Sequence, residues 1–442
     1  MERGAGVLLH VTSLADGTFK SAFPFIDFLA KSGIKYWQVL AFGPTGYGDS
    51  PYSPLSVFAL NPNFTKTIKK YDKVEVEKFI RNNKFWIEAY AAYMTLKEKH
   101  GLKDWLNWSI EFRDYENPAV KEFVTKNQDR INYHIQVQMN LYEQWMAVRK
   151  YANEHGVKII GDIPIYPAMD SADVWANKGR FEFKKGLPTA VAGVGPDYFN
   201  KDGQLWGNPL YDFSQMAQEK YKWWISRMKT MQDLFDIVRI DHFRAFDSYY
   251  KIPYNAKTAR VGEWVKGPGM KFFNAIKRAI PNAQIILEDL GEITPSVVAL
   301  RDKTGYPGMK VMQFGFDGNE ENEHLPKNYP KNCVAYIGTH DNDTFMGFLK
   351  SLDKKHRGFV ADYLYGHGLG DKDKTRLALE DILQSQADIV IIPMQDFLFQ
   401  DAKYRMNTPG TTYGNWKYCI RAIDLGDDLS YYIKVLIERS KR

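Results

Sequence analysis

Cysteine is nearly absent from this chain of 442 residues, which contains only Cys333 and Cys419. Two cysteines cannot form the disulfide framework of a small secreted protein, and disulfides persist mainly in oxidising compartments. Cys333 opens a predicted buried strand, where a thiol behaves as a small apolar side chain. We therefore expect a reducing compartment, and specifically a cytoplasmic location.

Long apolar runs and blocks of one charge are missing as well. No stretch approaches the ~20 apolar residues that a membrane-spanning helix needs. The apolar stretch at the start of the chain is short and broken by His10, unlike a signal peptide. Lys and Arg number 59 against 53 Asp and Glu, which gives a net charge of +6, and the basic residues occur singly or in pairs. We therefore expect neither a nucleic-acid partner nor a membrane partner.

Eight short apolar runs, rich in β-branched residues, alternate with helical patterns along the chain. Each run is almost continuously apolar, which is typical of parallel strands that are covered on both faces. Alternation of this kind predicts an α/β fold, and eight strands favour a (β/α)8 TIM barrel. The predicted strands are residues 5–11, 35–40, 157–163, 235–241, 284–288, 310–315, 333–338 and 388–393.

The spacing of these runs predicts one catalytic barrel, residues 1–442, with two insertions on its catalytic face. Residues 58–134, after the second strand, are predicted to be mainly helical. Residues 164–213, after the third strand, are rich in Gly, Pro and aromatic residues without periodicity and predict a loop-rich insertion. Long loops in compact domains are usually functional. The helical patterns around the first insertion cover residues 73–100, 104–126 and 129–155, and a final helix is predicted within 427–442.

Acidic residues follow the fourth, fifth and seventh apolar runs. They are Asp241, the pair Glu288 and Asp289, and Asp341. The C-terminal end of a barrel strand is where (β/α)8 enzymes hold their catalytic groups. Two carboxyl groups, one ionised and one protonated, can cleave a glycosidic bond, and a third can hold the distorted sugar. A solvated surface acid would explain any one of them, but three clusters together favour a carbohydrate-active site.

Spacing also suggests different protonation states for these acids. Arg239 and Asp241 lie two residues apart on one strand and share a face. A guanidinium lowers the pKa of a neighbouring carboxyl group, so we expect Asp241 to be ionised, with an ordinary core ion pair as the alternative. Partial burial would raise the pKa of Glu288 to roughly 6–7, which suits a general acid. Periodicity does not decide whether Glu288 or Asp289 is the working acid.

The polar run from His340 to Asp343 suggests either metal ligands or sugar-binding groups. No second His cluster stands at zinc spacing, and no Asp-rich loop matches a calcium site. We therefore expect no metal and no cofactor, and favour hydrogen bonds to sugar hydroxyls. The glycine-rich segment 43–52 matches neither a dinucleotide fingerprint nor a P-loop. Aromatic residues make up 15% of the chain, with 11 Trp and 27 Tyr, and could supply stacking surfaces for sugars.

A series of motifs runs in order across nearly the whole chain. They include Gly-Pro-Thr-Gly-Tyr-Gly-Asp-Ser-Pro-Tyr (43–52), Gly-Asp-Ile-Pro-Ile-Tyr (161–166), Arg-Ile-Asp-His-Phe-Arg (239–244), Glu-Asp-Leu-Gly (288–291), Gly-Thr-His-Asp-Asn (338–342) and Asn-Thr-Pro-Gly-Thr (407–411). Taken together, they resemble the 4-α-glucanotransferases called amylomaltase or disproportionating enzyme. These enzymes form glycoside hydrolase family 77 of the α-amylase clan.

The resemblance implies a (β/α)8 barrel, a retaining mechanism, and no metal or cofactor. Asp241 would be the nucleophile, Glu288 the general acid/base and Asp341 the transition-state stabiliser. The resemblance also implies substrate-binding roles for Arg239, His340, Tyr52, Ser50, Asp49, Tyr47, Asp197, Tyr198, Phe199, Gln204, Trp206, Asp317 and Asn407.

The leading hypothesis is an enzyme that transfers α-1,4-glucan segments between maltooligosaccharides through a covalent glycosyl-Asp241 intermediate. Its expected partners are maltooligosaccharides and amylose or glycogen-type α-glucans, and the protein would be a monomer or a homodimer. An α-1,4-glucan hydrolase is the closest alternative, because it shares the first half-reaction and differs only in using water as the acceptor. A non-enzymatic glucan-binding protein would retain the aromatic residues but would not need the three acids.

Overall fold

Eight parallel strands form the central sheet of the structure, a computed structural model that describes residues 1–196 and 201–442. The strands are β1 (Gly4–Leu8), β2 (Tyr36–Gln38), β3 (Lys158–Ile163), β4 (Ile237–Ile240), β5 (Ile285–Leu287), β6 (Gly308–Val311), β7 (Cys333–Tyr336) and β8 (Ile389–Pro393). Their order in the sheet is β5-β4-β3-β2-β1-β8-β7-β6. The ends of this order meet, so the predicted (β/α)8 barrel is confirmed.

The seam between β5 and β6 closes the barrel. The Leu287 N–H donates to the Pro307 carbonyl at 2.9 Å. Asp289, directly after β5, accepts a hydrogen bond from the Met309 N–H at 2.7 Å and one from Arg301 Nη1 at 2.8 Å. Its side chain is only 3% exposed. Asp289 therefore links β5 to β6 at a seam where few main-chain hydrogen bonds connect the two strands.

Strand β6 starts two residues earlier and ends four residues earlier than the predicted strand at 310–315. A Cβ atom built on Gly308 would lie 2.3 Å from Asp289 Oδ2, so only glycine allows the two strands to approach this closely. The chain then leaves the extended conformation and forms a 3₁₀ turn over Met312–Gly315. Met312, Gln313 and Gly315 remain buried in this turn, whereas Phe314 is exposed.

Helices follow seven of the eight strands and cover the outside of the barrel. The connection from β6 to β7 instead contains only the 3₁₀ turns Met312–Gly315 and Pro326–Asn328 in the described structure. The covering helices are Ala22–Lys31, Gln128–Glu154, Phe213–Gln218, Lys222–Leu234, Met270–Ala279, Pro295–Thr304, Phe345–Ser351, Lys354–Tyr363, Asp371–Gln384, Met394–Phe397 and Asp427–Ser440.

The segment between β2 and β3 is mostly helical, but the predicted helix at 104–126 is wrong in its first half. Trp105 and Trp108 lie in or beside short 3₁₀ turns and are buried. Their indole N–H groups donate to main-chain carbonyls at 2.8 and 2.9 Å, which replaces a regular helix with irregular backbone. A helix begins only at Pro118, and Asn117 caps it. The helices of this segment are Lys73–Asn83, Ile87–Lys99, Pro118–Lys126 and Gln128–Glu154.

The segment between β3 and β4 contains strands that periodicity did not predict. A four-stranded antiparallel sheet joins Ala190–Val194 and Gln204–Pro209 to Ser248–Pro253 and Glu263–Lys266, which follow β4. Gly193 lies where a Cβ atom would be 2.1 Å from the Gln204 carbonyl, so the strand needs glycine and loses its side-chain alternation. The same segment contains the short helix Ala172–Ala176 and a hairpin of Phe183–Lys184 with Leu187–Pro188.

Apolar side chains from the barrel strands and the surrounding helices form one continuous core. All five residues of β1 and all five of β8 are buried, as expected for strands that are covered on both faces. In residues 1–196 and 201–442, no helix combines the length and the apolar character that a membrane span would require.

We expect the Asp289→Ala variant to lose roughly 2–3 kcal/mol of unfolding free energy, because the Arg301 guanidinium and the Met309 amide lose a buried charged partner. Urea denaturation monitored by tryptophan fluorescence would measure this loss. Asp302→Ala is the matched control, since Asp302 binds the same Arg301 at 2.8 Å but is 62% exposed. The control should change stability by less than about 0.5 kcal/mol. Equal losses in both variants would contradict a special role for Asp289.

Candidate active site

A cavity of about 350 Å³ opens at the C-terminal ends of the barrel strands. Eight of the predicted site residues line it, namely Ser50, Tyr52, Gln204, Trp206, Asp241, His340, Asp341 and Asn407. The remaining lining residues are Ser53, Pro164, Ile165, Tyr166, Asn208, His242 and Trp416.

A buried guanidinium organises the floor of this cavity. Arg239, on β4, is only 4% exposed. Its Nη1 lies 2.7 Å from both carboxylate oxygens of Asp162, on the neighbouring strand β3. Its Nη2 lies 3.0 Å from Asp241 Oδ1. The Tyr52 hydroxyl donates to Asp162 Oδ2 at 2.7 Å, so the positive charge and both carboxylates are held in fixed positions.

Asp241 and Glu288 lie side by side on adjacent strands. Leu287 pairs with Ile240 in the parallel register of β5 and β4, and each acid is the next residue of its strand. Burial and, after it, the negative charge of Asp241 together raise the pKa of Glu288 to about 8. Glu288 therefore holds its proton at neutral pH, and its pKa lies above the range predicted from the sequence.

The pKa of Asp241 moves in the direction opposite to the prediction. Burial raises it, and the Arg239 guanidinium opposes that rise without reversing it. The prediction was wrong because it considered the charge of Arg239 and left out the burial of the carboxyl group and the nearby charge of Asp162. Arg239 still favours the ionised form of Asp241, and no equally close cation is bonded to Glu288 among the described residues.

The structure separates Glu288 from Asp289, which the sequence did not. The Glu288 carboxyl group accepts hydrogen bonds from the His242 N–H at 2.6 Å and the Leu290 N–H at 3.0 Å. His242 lines the cavity. Asp289 instead binds Arg301 at the barrel seam. Of this pair, Glu288 is therefore the acid that lies next to the cavity and next to Asp241, the candidate nucleophile.

Another part of the cavity lining comes from the loops that follow β7 and β8. The His340 ring stacks on Tyr52, with ring centres 4.8 Å apart and planes 11° apart. Asp341 Oδ1 accepts a hydrogen bond from Asn407 Nδ2 at 2.6 Å, and Arg405 Nη2 donates to the Asp341 carbonyl at 2.5 Å. The Asp341 side chain is 48% exposed, so it remains available to a ligand in the cavity.

Aromatic and amide side chains border the cavity near Glu288. Trp206 donates from Nε1 to Gln204 Oε1 at 3.0 Å, and its ring meets the His242 ring edge-on at 4.7 Å. Asn208 Nδ2 donates to the Pro167 carbonyl at 2.9 Å. A flat ring beside hydrogen-bonding amides is suited to a sugar, whose faces are apolar and whose edges carry hydroxyls.

Two predicted site residues, Arg239 and Glu288, do not line the cavity themselves but are bonded to the lining residues Asp241 and His242.

Other predicted site residues do not reach this cavity in the structure. Asp49 is exposed in a left-handed conformation, and Asp317 is exposed in the loop after β6, where it binds Asn319 and Asn322. The predicted positions Asp197, Tyr198 and Phe199 and the side chain of Tyr47 lie outside the described part of the chain. In the part that is described, no three or more His, Cys, Asp or Glu side chains group as metal ligands would.

Asp162 is the most important residue that the sequence analysis missed. Its carboxylate is completely buried and binds both Arg239 and Tyr52. A signal was present, because Asp162 is an acid inside a predicted buried strand and such a charge requires a partner. Trp416, whose ring lies 5.9 Å from that of Tyr52, was also missed because exposed and site aromatics look alike in sequence.

Comparison with known proteins agrees with this arrangement. The family model described as 4-alpha-glucanotransferase matches residues 8–69 and 63–424. The chain belongs to the 4-alpha-glucanotransferase family. It is 37% identical to the 4-alpha-glucanotransferase of Clostridium butyricum over 93% of this chain and 95% of that protein. It is 36% identical to that of Thermus thermophilus over 100% of this chain and 99% of that protein. The resemblance proposed from the motifs is confirmed.

Solved structures of the family support the same conclusion. The amylomaltase of Streptococcus agalactiae, determined in complex with acarbose, superposes with a TM-score of 0.94 at 32% identity and full coverage of both chains. The amylomaltase of Corynebacterium glutamicum gives a TM-score of 0.77 at 16% identity, over 98% of this chain and 75% of that one. The second similarity shows the shared fold.

The raised pKa of Glu288 predicts a pH dependence of stability. The folded protein holds this proton between pH 4.5, the ordinary pKa, and about 8, while the unfolded chain releases it. Stability should therefore fall as pH rises through this window, by at most about 1.4 kcal/mol per pH unit. Urea unfolding of wild type and Glu288→Gln at pH 5, 6, 7 and 8 would show a shallower slope in the variant.

Glu122→Gln is the control for this measurement. Glu122 lies on the exposed helix Pro118–Lys126, and its bond to Lys126 lowers its pKa below the ordinary value. The control should therefore keep the wild-type slope between pH 5 and 8. Identical slopes in wild type and the Glu288→Gln variant would show that Glu288 ionises normally in the folded protein.

Proposed function

We propose that this protein is a 4-α-glucanotransferase that transfers α-1,4-glucan segments between maltooligosaccharides by a retaining double displacement. The proposal depends chiefly on one observation, the adjacency of Asp241 and Glu288 directly after β4 and β5, and the raised pKa of Glu288 supports it. Retaining enzymes hold their two carboxyl groups about 5–5.5 Å apart, without room for a water molecule between the nucleophile and the sugar. Neighbouring residues of adjacent strands can provide that separation.

In the first half-reaction, the Asp241 carboxylate attacks the anomeric carbon of the donor sugar. The bond from that carbon to the glycosidic oxygen breaks, and Glu288 gives its proton to this oxygen. The product is a glycosyl ester on Asp241 and an ionised Glu288. Arg239, 3.0 Å from Asp241, keeps the nucleophile oriented and favours its charged form.

In the second half-reaction, Glu288 acts as the base. It removes the proton from the acceptor's 4-hydroxyl, whose oxygen attacks the anomeric carbon and displaces the Asp241 carboxylate. Two inversions leave the α-linkage unchanged. Asp341, held by Asn407, and His340 would bind hydroxyls of the donor ring as it flattens. Amylose and glycogen-type glucans would serve as longer donors.

The loop segment after β3 would form the acceptor side of the site. Trp206 and Asn208 line the cavity there, and Trp206 contacts His242, which binds the acid/base Glu288. A leaving group protonated by Glu288 must depart on this side, and the acceptor must enter from it. We propose that the segments 58–134 and 164–213 act as insertions that shape the cleft around the barrel.

Incubation with maltotriose alone tests the proposed function. We expect glucose together with a ladder of longer maltooligosaccharides, while the number of reducing ends stays nearly constant. High-performance anion-exchange chromatography and a reducing-sugar assay would measure both quantities. A steady increase of reducing ends without longer products would show that water is the acceptor and that the enzyme is an α-1,4-glucan hydrolase.

Two tryptophan variants provide a matched comparison within that experiment. Trp206→Ala removes a ring that lines the cavity, and should lower the ratio of transfer to hydrolysis roughly two- to tenfold. Trp264 is similarly exposed, at 41% against 37%, but its ring covers Arg244 and does not line the cavity. Trp264→Ala should therefore retain the wild-type ratio.

A further inference from the structure

Just beyond the ends of β4 and β5, beside Glu288, the main-chain pairing shifts by one residue, which we call the bulge. The register is regular up to Leu287 opposite Ile240, and the Glu288 N–H donates to the Ile240 carbonyl at 3.0 Å. Regular parallel pairing would continue with the His242 N–H donating to the Glu288 carbonyl. That bond comes instead from the Phe243 N–H at 2.9 Å. The segment that follows β4 therefore carries one extra residue at this point.

His242 is the residue that the bulge removes from the ladder. Its backbone has φ 53° and ψ 51°, a left-handed conformation that is uncommon for residues other than glycine. Its carbonyl accepts a hydrogen bond from the Ala245 N–H at 3.1 Å, which closes the turn. The His242 N–H lies 2.6 Å from Glu288 Oε2. The His242 N–H therefore donates to the side-chain carboxyl group of Glu288 and not to its main-chain carbonyl.

We infer that His242 is a positioning residue whose left-handed backbone fixes the Glu288 carboxyl group at the acceptor side of the cavity. The inference rests on the proposed role of Glu288 as the general acid/base. The His242 ring contributes separately, because it lines the cavity and meets Trp206 edge-on at 4.7 Å. One strained residue therefore sets the position of both the acid/base and the aromatic wall beside it.

The groups around Glu288 show how the His242 amide affects the pKa of its carboxyl group. Asp241 and Arg239 face it from β4, and they raise and lower its pKa respectively, while burial raises it most. The N–H groups of His242 and Leu290 favour the ionised form that Glu288 adopts after it gives up its proton. Burial lowers the pKa of the His242 imidazole to about 4, so its ring is neutral at the pH values of the test.

Two substitutions separate the backbone of His242 from its imidazole. His242→Asn and His242→Val both remove the ring, but Asn tolerates the left-handed conformation and a β-branched residue does not. In His242→Val, the misplaced amide should move the alkaline limb of kcat/KM for maltotriose upward by about one to two pH units. His242→Asn should retain the wild-type limb. Thermal melts would check folding, and His242→Ala replaces the Val variant if that variant does not fold.

A glycosyl fluoride donor supplies a second readout, because its leaving group needs little protonation. Formation of the glycosyl-enzyme from this donor should occur at similar rates in the Asn and Val variants, although their rates with maltotriose differ. Coincident alkaline limbs in the two variants, with Glu288→Gln inactive on maltotriose, would overturn the inference and leave the proposed function intact. A fully active Glu288→Gln variant would overturn both proposals.

Discussion

The buried guanidinium of Arg239, held between Asp162 and Asp241, is the interaction on which the catalytic face depends. An unpaired buried charge costs several kcal/mol, and the two carboxylates supply the partners that this buried guanidinium needs. One guanidinium carries a single positive charge against these two carboxylates, so no positive charge is left for a third. Glu288, next to Asp241 and bonded to backbone amides, consequently holds its proton. The unequal protonation that the proposed retaining mechanism requires thus follows first from the burial of Glu288 and then from the charge of Asp241 beside it.

The barrel provides these groups with different degrees of rigidity. Asp162, Asp241 and Glu288 lie on or directly after three adjacent strands, where sheet pairing fixes their relative positions. Asp341 follows β7 by five residues, and its position depends on Asn407 from beyond β8. The two acids proposed to exchange bonds with the sugar are therefore placed by the sheet, and the groups proposed to hold the sugar ring are placed by loops. Such a division lets loops vary without disturbing the acid pair.

The eight barrel strands and the acids at their ends could be predicted from the sequence, because strands buried on both faces form continuous apolar runs. Non-local features could not be predicted. The antiparallel sheet pairs residues 190–209 with residues 248–266, and neither segment alternates clearly. Which of the two acids lies beside the cavity depends on the neighbouring strand that each side chain faces. Glu288 bonds to the segment after β4, and Asp289 bonds to β6. The bulge at His242 is a one-residue difference between two strands that are distant in sequence, and a single sequence carries no signal of it.

The central claim is that Asp241 forms a covalent bond to the sugar while Glu288 transfers the proton. Mass spectrometry of peptides from the Glu288→Gln variant, quenched after incubation with an α-maltosyl fluoride, tests it most directly. The variant can form the ester but lacks the base that activates an acceptor, so the intermediate should accumulate. The account predicts a glycosyl adduct on the peptide that contains Asp241. An adduct on Asp341 or another carboxyl group, or a β-linked first product without an adduct, would contradict it.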